Sequence, residues 1–183
     1  NSDHAAEEAY DSALRVMGFA RMALPSQAML TRGPRVAPLR NIRHPSGEPA
    51  FPACVDSMAT FWVVPSVRFL ARITSHRSSM VIATADGHVR VEAEGDACVS
   101  LQATDGSWHS FLIPGAIVLP NCNAILYSTR VMRDLFGMQH DVDSGSISLR
   151  LSESGDSSTA GRFGVVDDGS SFTIPVVFHS RVI

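Results

Sequence analysis

One short run, CVDSMATFW, combines residue types that could do chemistry. An apolar approach ends at Asp56 and Ser57, and Thr60 follows two residues after Met58. A carboxylate beside hydroxyl groups can accept a proton and return it, which is the basis of general acid–base catalysis. In the structural alternative, Asp56 is an ordinary turn residue whose carboxylate accepts hydrogen bonds from nearby backbone N–H groups. The Asp-Ser pair alone does not separate these two interpretations.

Metal and cofactor sites find no support in the residue spacing. The three cysteines are far apart and form no Cys-x-x-Cys pair, which argues against a zinc site and a disulfide framework. The seven histidines show neither a His-x-His nor a His-Glu-x-x-His spacing, and the sequence contains no glycine-rich phosphate loop. We therefore expect no metal and no cofactor.

Length and composition predict an ordered chain with one core domain and an appendage. The 183 residues are 45% hydrophobic and 18% charged, and the net charge of −3 predicts no general attraction to nucleic acid. Residues 106–129 contain no Asp, Glu, Lys or Arg. Because prolines and a glycine interrupt this stretch, we expect two buried strands joined by a turn, and no transmembrane span.

The first 52 residues differ in composition from the rest. We expect a helix over residues 1–24, because Ser2 or Asp3 can cap its start and Pro25 can end it. Residues 25–52 hold six of the ten prolines and should run as an extended arm. The chain begins at Asn1 rather than methionine, so we expect a processed or truncated product. A targeting peptide, organellar or other, would then have been removed, and the compartment is unknown.

The arm and the predicted helix carry a local excess of positive charge. All fifteen basic residues of the chain are arginine, and six of them lie in residues 12–47, which contain no carboxylate. Guanidinium groups bind carboxylates and phosphates, so a protein surface, RNA or anionic head groups of a membrane complex would suit them. Because no aromatic residues alternate with them, a protein partner is favoured over RNA. The candidate partner-binding residues are Arg32, Arg35, Arg40 and Arg43.

Residues 53–183 show the pattern of a mainly β domain. Residues 81–84 predict a strand, and alternating apolar and polar residues predict further strands on both sides of them. Residues 129–136 have helical character, with Gly137 placed to end the helix. Hairpin turns are predicted at the dipeptides Asp86-Gly87, Asp105-Gly106 and Asp168-Gly169.

Six segments between residues 53 and 151 follow one another in an order that is typical of a known family. They are Val55–Thr60, residues 81–87, Glu94–Val99, Ile113–Pro120, Asn123–Ser128 and Leu135–Gly137. The first is similar to a Leu-Asp-Ser-Gly-Ala-Ser/Thr loop, and the second to a strand that enters an Ala-Asp-Gly hairpin. The series resembles the protease domain of copia-type retrotransposon polyproteins, which is retropepsin-like.

The resemblance implies a retropepsin-like closed β barrel or sandwich with one short helix, and aspartic-peptidase chemistry. In that chemistry two carboxylates share one proton, and one of them accepts a proton from the attacking water while the other polarises the carbonyl. The chain carries one such loop, so an active enzyme would be a homodimer with Asp56 from each chain. The implied catalytic residues are Asp56 and Ser57, with Thr60 supporting the loop.

Two departures from the family pattern change the functional expectation. Met58 stands where the family has glycine, and Phe61-Trp62 stand where a histidine is usual. A long side chain at a crowded or left-handed position would strain the loop and fill the cleft. We therefore expect a catalytically impaired domain that acts as a structural or assembly subunit and binds a protein partner through its N-terminal helix and arm. The alternatives are an active homodimeric aspartic endopeptidase and an RNA-associated protein that uses the basic arm.

Overall fold

The structure is a computed structural model that describes residues 36–76, 78–84, 87–143, 146–151, 161–167 and 171–181. The predicted N-terminal helix, Arg32 and Arg35, and the predicted turn at Asp168-Gly169 lie outside these residues. The helices and strands of the described part are β1 (Ala50–Asp56), β2 (Val63–Val64), a 3-10 turn (Val67–Phe69), β3 (Arg72–Ser75), β4 (Val81–Thr84), β5 (Gly87–Arg90), β6 (Ala93–Gln102), β7 (Trp108–Val118), β8 (Ile125–Ser128), α1 (Thr129–Phe136), β9 (Met138–Asp143), β10 (Ser146–Leu151), β11 (Arg162–Gly164), β12 (Val166–Asp167) and β13 (Phe172–His179).

Six of these strands close into a β barrel. The order around the barrel is β1, β8, β2, β7, β6 and β13, and β13 pairs with β1 again. β3 extends the sheet beyond β6, and β12 extends it beyond β13. The hairpin β4–β5 and the three strands β9, β10 and β11 form two separate small sheets. The prediction of a mainly β domain with one short helix is confirmed.

Two strand pairs in the barrel are parallel, and these pairs determine which strand ends lie together. β1 runs parallel to β8, and β2 runs parallel to β7, while the other barrel pairs are antiparallel. Parallel neighbours end at the same edge of a sheet. In the β1–β8 register, Asp56 is paired with Ser128. The loop after β1 and the helix after β8 therefore begin side by side.

The barrel interior is filled by aliphatic and aromatic side chains. Trp62 packs on Tyr127 with ring centroids 4.9 Å apart, and Phe69 packs edge-on against Phe178 at 5.0 Å. All four side chains belong to one large buried cluster. A second buried cluster lies between the barrel and the β4–β5 hairpin, and its members include Ala59, Val63, Ile82, Ile117, Cys122 and Leu126.

The described part of the arm folds against the start of β1. The N–H of Leu39 donates to the Ala50 carbonyl at 2.7 Å, and the N–H of Ala50 donates to the Ile42 carbonyl at 3.1 Å. β1 begins at Ala50, inside the segment that we expected to be the arm. Its Pro52 is paired with Pro175 of β13. Neither proline has an N–H, so this pair suits an antiparallel register position at which the two residues exchange no hydrogen bonds.

Several local predictions are confirmed. α1 spans the predicted residues 129–136, and Gly137 ends it in the left-handed conformation at φ 66°. β4 spans residues 81–84 and pairs with β5, so the first predicted hairpin is present. β6 and β7 flank the predicted turn at Asp105-Gly106, where Gly106 has φ 87°.

The uncharged stretch at residues 106–129 contains two strands, β7 and β8, as predicted, but only β8 is buried throughout. β7 alternates between buried and exposed side chains, and β2 lies between the two strands in the sheet. Among the described helices, none has the length and apolar character needed to cross a membrane.

The alternation along β7 predicts a contrast in stability between two neighbouring positions. Ile113 is fully buried, whereas Leu112 is 43% exposed. Ile113→Ala should lower the free energy of unfolding by about 2–5 kcal/mol, because it leaves a cavity in the barrel. Leu112→Ala is the matched control and should change it by no more than about 0.5 kcal/mol. Urea denaturation of both variants measures the difference, and equal losses would contradict the described orientation of β7.

Candidate functional site

Asp56 is anchored at the end of β1 by its own loop. Its Oδ1 accepts the N–H of Met58 at 2.8 Å and the N–H of Ala59 at 3.2 Å. The residue is half-buried. Within the described part of the chain, no hydrogen bond is made to its second carboxylate oxygen. The carboxylate is therefore held by one oxygen, and its other oxygen is available for further hydrogen bonds. A group that acts in acid–base catalysis needs such an oxygen. An ordinary turn aspartate can have the same arrangement.

A single hydroxyl group joins this loop to α1. Ser128 Oγ donates to the Ala59 carbonyl at 2.6 Å and accepts the N–H of Val131 at 3.2 Å. Ser128 and Ala59 are both fully buried. Ser128 is thus the N-cap of α1 and also a latch that holds the Asp56 loop. Our sequence analysis did not assign it a role, although a serine directly before a predicted helix is a recognised capping signal.

The side chain of Met58 lies in solvent. It is 65% exposed, while the N–H of the same residue donates to Asp56. The hydrogen bonds to the Asp56 carboxylate therefore form with methionine at position 58. Within a single chain, the Met58 side chain can affect what approaches Asp56, whereas the backbone N–H of Met58 helps to hold the Asp56 carboxylate.

The two hydroxyl residues of the loop have different surroundings. Ser57 is exposed. Thr60 Oγ1 is buried and has no hydrogen-bond partner among the described residues, and the same holds for Trp62 Nε1. A buried hydroxyl without a partner costs about 1–3 kcal/mol. Thr60 therefore does not support the loop through a side-chain hydrogen bond within the described chain.

The β4–β5 hairpin lies next to the loop. Ile82 of β4 and Ala59 of the loop are members of the same buried cluster. Val89 of β5 packs against that cluster from the surface side. The cluster thus joins the hairpin and the Asp56 loop through one set of apolar contacts.

The predicted partner-binding arginines are described only in part. Arg40 and Arg43 are exposed, whereas Arg32 and Arg35 lie outside the described residues. The Arg43 guanidinium donates to the Gly47 carbonyl at 3.1 Å, within the turn that precedes β1. Neither described arginine forms a hydrogen bond with the Asp56 loop.

A second polar cluster joins the turn before β1 to the end of β13. Glu48 Oε2 lies 3.2 Å from His179 Nδ1, and His179 Nε2 lies 2.7 Å from Ser100 Oγ. His44 packs edge-on against His179, with ring centroids 4.9 Å apart. The sequence analysis missed this cluster because Glu48 and His179 are 131 residues apart.

The charges of this cluster follow from burial and hydrogen bonding. Burial lowers the pKa of His179, and the nearby negative charge of Glu48 only partly opposes this effect. A hydrogen bond from Ser46 lowers the pKa of Glu48. At neutral pH, the cluster therefore contains an ionised carboxylate beside a neutral, buried imidazole.

Comparison of the chain with protein-family models, with curated proteins and with solved structures finds no match.

The double role of Ser128 predicts an unusually large effect for a capping residue. Ser128→Ala removes the cap of α1 and leaves the buried Ala59 carbonyl without its partner, so it should lower the free energy of unfolding by about 1–3 kcal/mol. Ser66→Ala is the control, because Ser66 caps only the short 3-10 turn, through a hydrogen bond of 3.4 Å to Arg68 N. Chemical denaturation compares the variants, and a smaller loss for Ser128→Ala than for Ser66→Ala would contradict the latch.

Proposed function

We propose that this protein is a retropepsin-like domain that carries one half of an aspartic-peptidase site, impaired by Met58, and acts as a structural or assembly subunit. The observation that carries the proposal is the anchored Asp56 carboxylate at the shared edge of the parallel strands β1 and β8. The anchored oxygen fixes the orientation of the Asp56 carboxylate, and the other oxygen is available to a group outside the loop.

The chemistry of the site supports a requirement for a second polypeptide. Peptide hydrolysis by aspartates needs two carboxylates that share a proton. In the described chain, the hydrogen bonds of Asp56 come from backbone N–H groups of its own loop and from no second acid. A partner that brings its own carboxylate would complete the pair, and a second copy of this chain has the right group.

The surface of the loop also favours a partner. Met58 presents an exposed unbranched apolar side chain, and Thr60 has a buried hydroxyl without a hydrogen-bond partner in the described chain. A polypeptide that packed on this loop would remove the Met58 side chain from water. In a symmetric pair, two Met58 side chains would lie beside the paired carboxylates. They would obstruct the approach of a substrate backbone, which is why we propose impaired catalysis.

The alternative is an active homodimeric aspartic endopeptidase. The hydrogen bonds of the loop favour it, since Met58 does not displace the Asp56 carboxylate from the two N–H groups that hold it. Binding of a protein partner through the N-terminal helix and arm, residues 1–52, stays a prediction, because residues 1–35 lie outside the described part. The RNA-associated alternative also stays a prediction, since it depends on arginines of which only Arg40 and Arg43 are described.

The role of Met58 can be tested by restoring the family's glycine. We expect no cleavage of an unstructured peptide library by the native chain between about pH 3 and pH 7, the range in which a shared carboxylate pair titrates. Met58→Gly should gain cleavage, because it removes the obstruction. The Met58→Gly, Asp56→Asn double variant is the matched control and should lose the activity again.

Two other outcomes have definite meanings. Cleavage by the native chain that Asp56→Asn abolishes would establish the active peptidase and overturn impairment. Silence of every variant would reject the half-site and leave only a structural role.

Self-association can be tested at the same residue. If a second copy covers the loop, sedimentation equilibrium should show a dimer, and Met58→Glu should weaken it at least about tenfold, because an ionised group would be buried. Val166→Glu is the control, since Val166 is also an exposed apolar residue but lies on β12. A strict monomer at all concentrations would reject the homodimer and leave a different protein as the partner.

A further inference from the structure

The cluster at the turn before β1 has the composition of a metal site. His44, Glu48 and His179 each place one potential ligand atom so that the three atoms lie within 4.8 Å of one another. Two imidazoles and one carboxylate are a ligand set that zinc uses where it keeps a further coordination position open. Only the described residues enter this comparison, and His44, Glu48 and His179 form the one such group among them.

We propose that His44, Glu48 and His179 bind a divalent transition-metal ion, with Zn²⁺ as the best match. This site is separate from the Asp56 loop and does not depend on the function proposed above. The ion would tie the turn before β1 to the end of β13, which are far apart in the sequence.

The distances favour an ion of this size. Zinc bonds of about 2.0–2.1 Å in a tetrahedron place ligand atoms about 3.3 Å apart. The separation of Glu48 Oε2 and His179 Nδ1 is 3.2 Å, so this pair already has the spacing of two zinc ligands. The potential ligand atom of His44 lies within 4.8 Å of the other two, so it must come closer to them to complete the set.

The surroundings of His179 orient its ring for coordination. His179 Nε2 lies 2.7 Å from Ser100 Oγ, and Ser100 Oγ lies 2.7 Å from Ser110 Oγ. Because the Glu48 carboxylate can only accept, His179 Nδ1–H donates to it in the metal-free protein, and Nε2 accepts from Ser100 Oγ. On binding an ion, the ring would carry its proton on Nε2, donate to Ser100 Oγ and present the lone pair of Nδ1 to the ion. Hydrogen bonds to the second nitrogen of a ligating histidine are the usual way in which proteins fix its tautomer. Ser100 is fully buried, so this arrangement is rigid.

The opposite side of the cluster can open to admit an ion. The side chain of His179 is only 4% exposed, whereas that of Glu48 is 35% exposed. The hydroxyl of Ser46 now bridges the other two ligands, since it contacts His44 Nδ1 at 2.6 Å and donates to Glu48. Ser46 is exposed, so its hydroxyl can rotate away when an ion takes its place. The bound ion would replace the proton between Glu48 and His179 and the Ser46 hydroxyl between His44 and Glu48.

The proposal can be tested by titrating Zn²⁺ alone into the full chain after treatment with a chelator. Calorimetry should give one ion per chain with a Kd of about 1 μM or below, and thermal unfolding should shift to higher temperature with zinc. Co²⁺ should give the visible absorption of a tetrahedral site. His44→Gln and Glu48→Gln should each weaken binding at least about tenfold and remove the thermal shift.

These two variants change residues at the open side, so the fold should persist, and circular dichroism without metal checks this. His76→Gln is the matched control, because His76 is an exposed histidine outside the cluster. Absence of zinc binding, or binding that His44→Gln and Glu48→Gln leave unchanged, would overturn the proposal. An equal loss in His76→Gln would also overturn it, because it would indicate general binding to surface histidines.

Discussion

The parallel pairing of β1 with β8 is the constraint on which the candidate active site depends. It places Asp56 opposite Ser128, so the end of one strand meets the start of α1. One buried hydroxyl then satisfies two backbone groups, the carbonyl of Ala59 and the N–H of Val131. Because Ala59 is fully buried, the loop cannot move away from Ser128 without leaving the Ala59 carbonyl without a partner. The orientation of the Asp56 carboxylate is a consequence of this strand pairing.

The same arrangement explains how the loop accommodates Met58. The loop uses the backbone N–H of this residue and leaves its side chain in solvent. A methionine at this position therefore leaves the carboxylate of a single chain undisturbed. Under the function proposed above, its effect would arise when a second molecule approaches the loop.

Closure of the barrel has a second consequence on β13. This strand pairs with β1 on one side, which brings its end to the turn that precedes β1. It pairs with β6 on the other side, which brings the same end beside Ser100. His179 thereby meets Glu48 from that turn and Ser100 from β6. Burial keeps the imidazole neutral, which is the form that can act as a ligand. The barrel thus builds two polar sites, one from the ends of parallel strands and one from the seam that closes it.

The sequence by itself determined the features that depend on neighbouring residues. Helix α1 and Gly137, the strand at residues 81–84 and the turn at Asp105-Gly106 all lie where their local patterns predicted. Turn chemistry, capping and apolar periodicity act within a few residues, so they can be recognised along the chain. The Asp56 loop was found in the same way, from its residue types and from the resemblance of the surrounding segments.

Only the tertiary structure decided which distant residues meet. Pro52 lies inside a barrel strand, where it is paired with Pro175 of β13. No local pattern in the sequence indicates that partner. Ser128 became a latch through a parallel pairing, and His179 reached Glu48 through barrel closure. Strand pairing depends on the free energy of the whole barrel rather than on local propensity, so residues that are remote in the sequence can form one site without any spacing that reveals it.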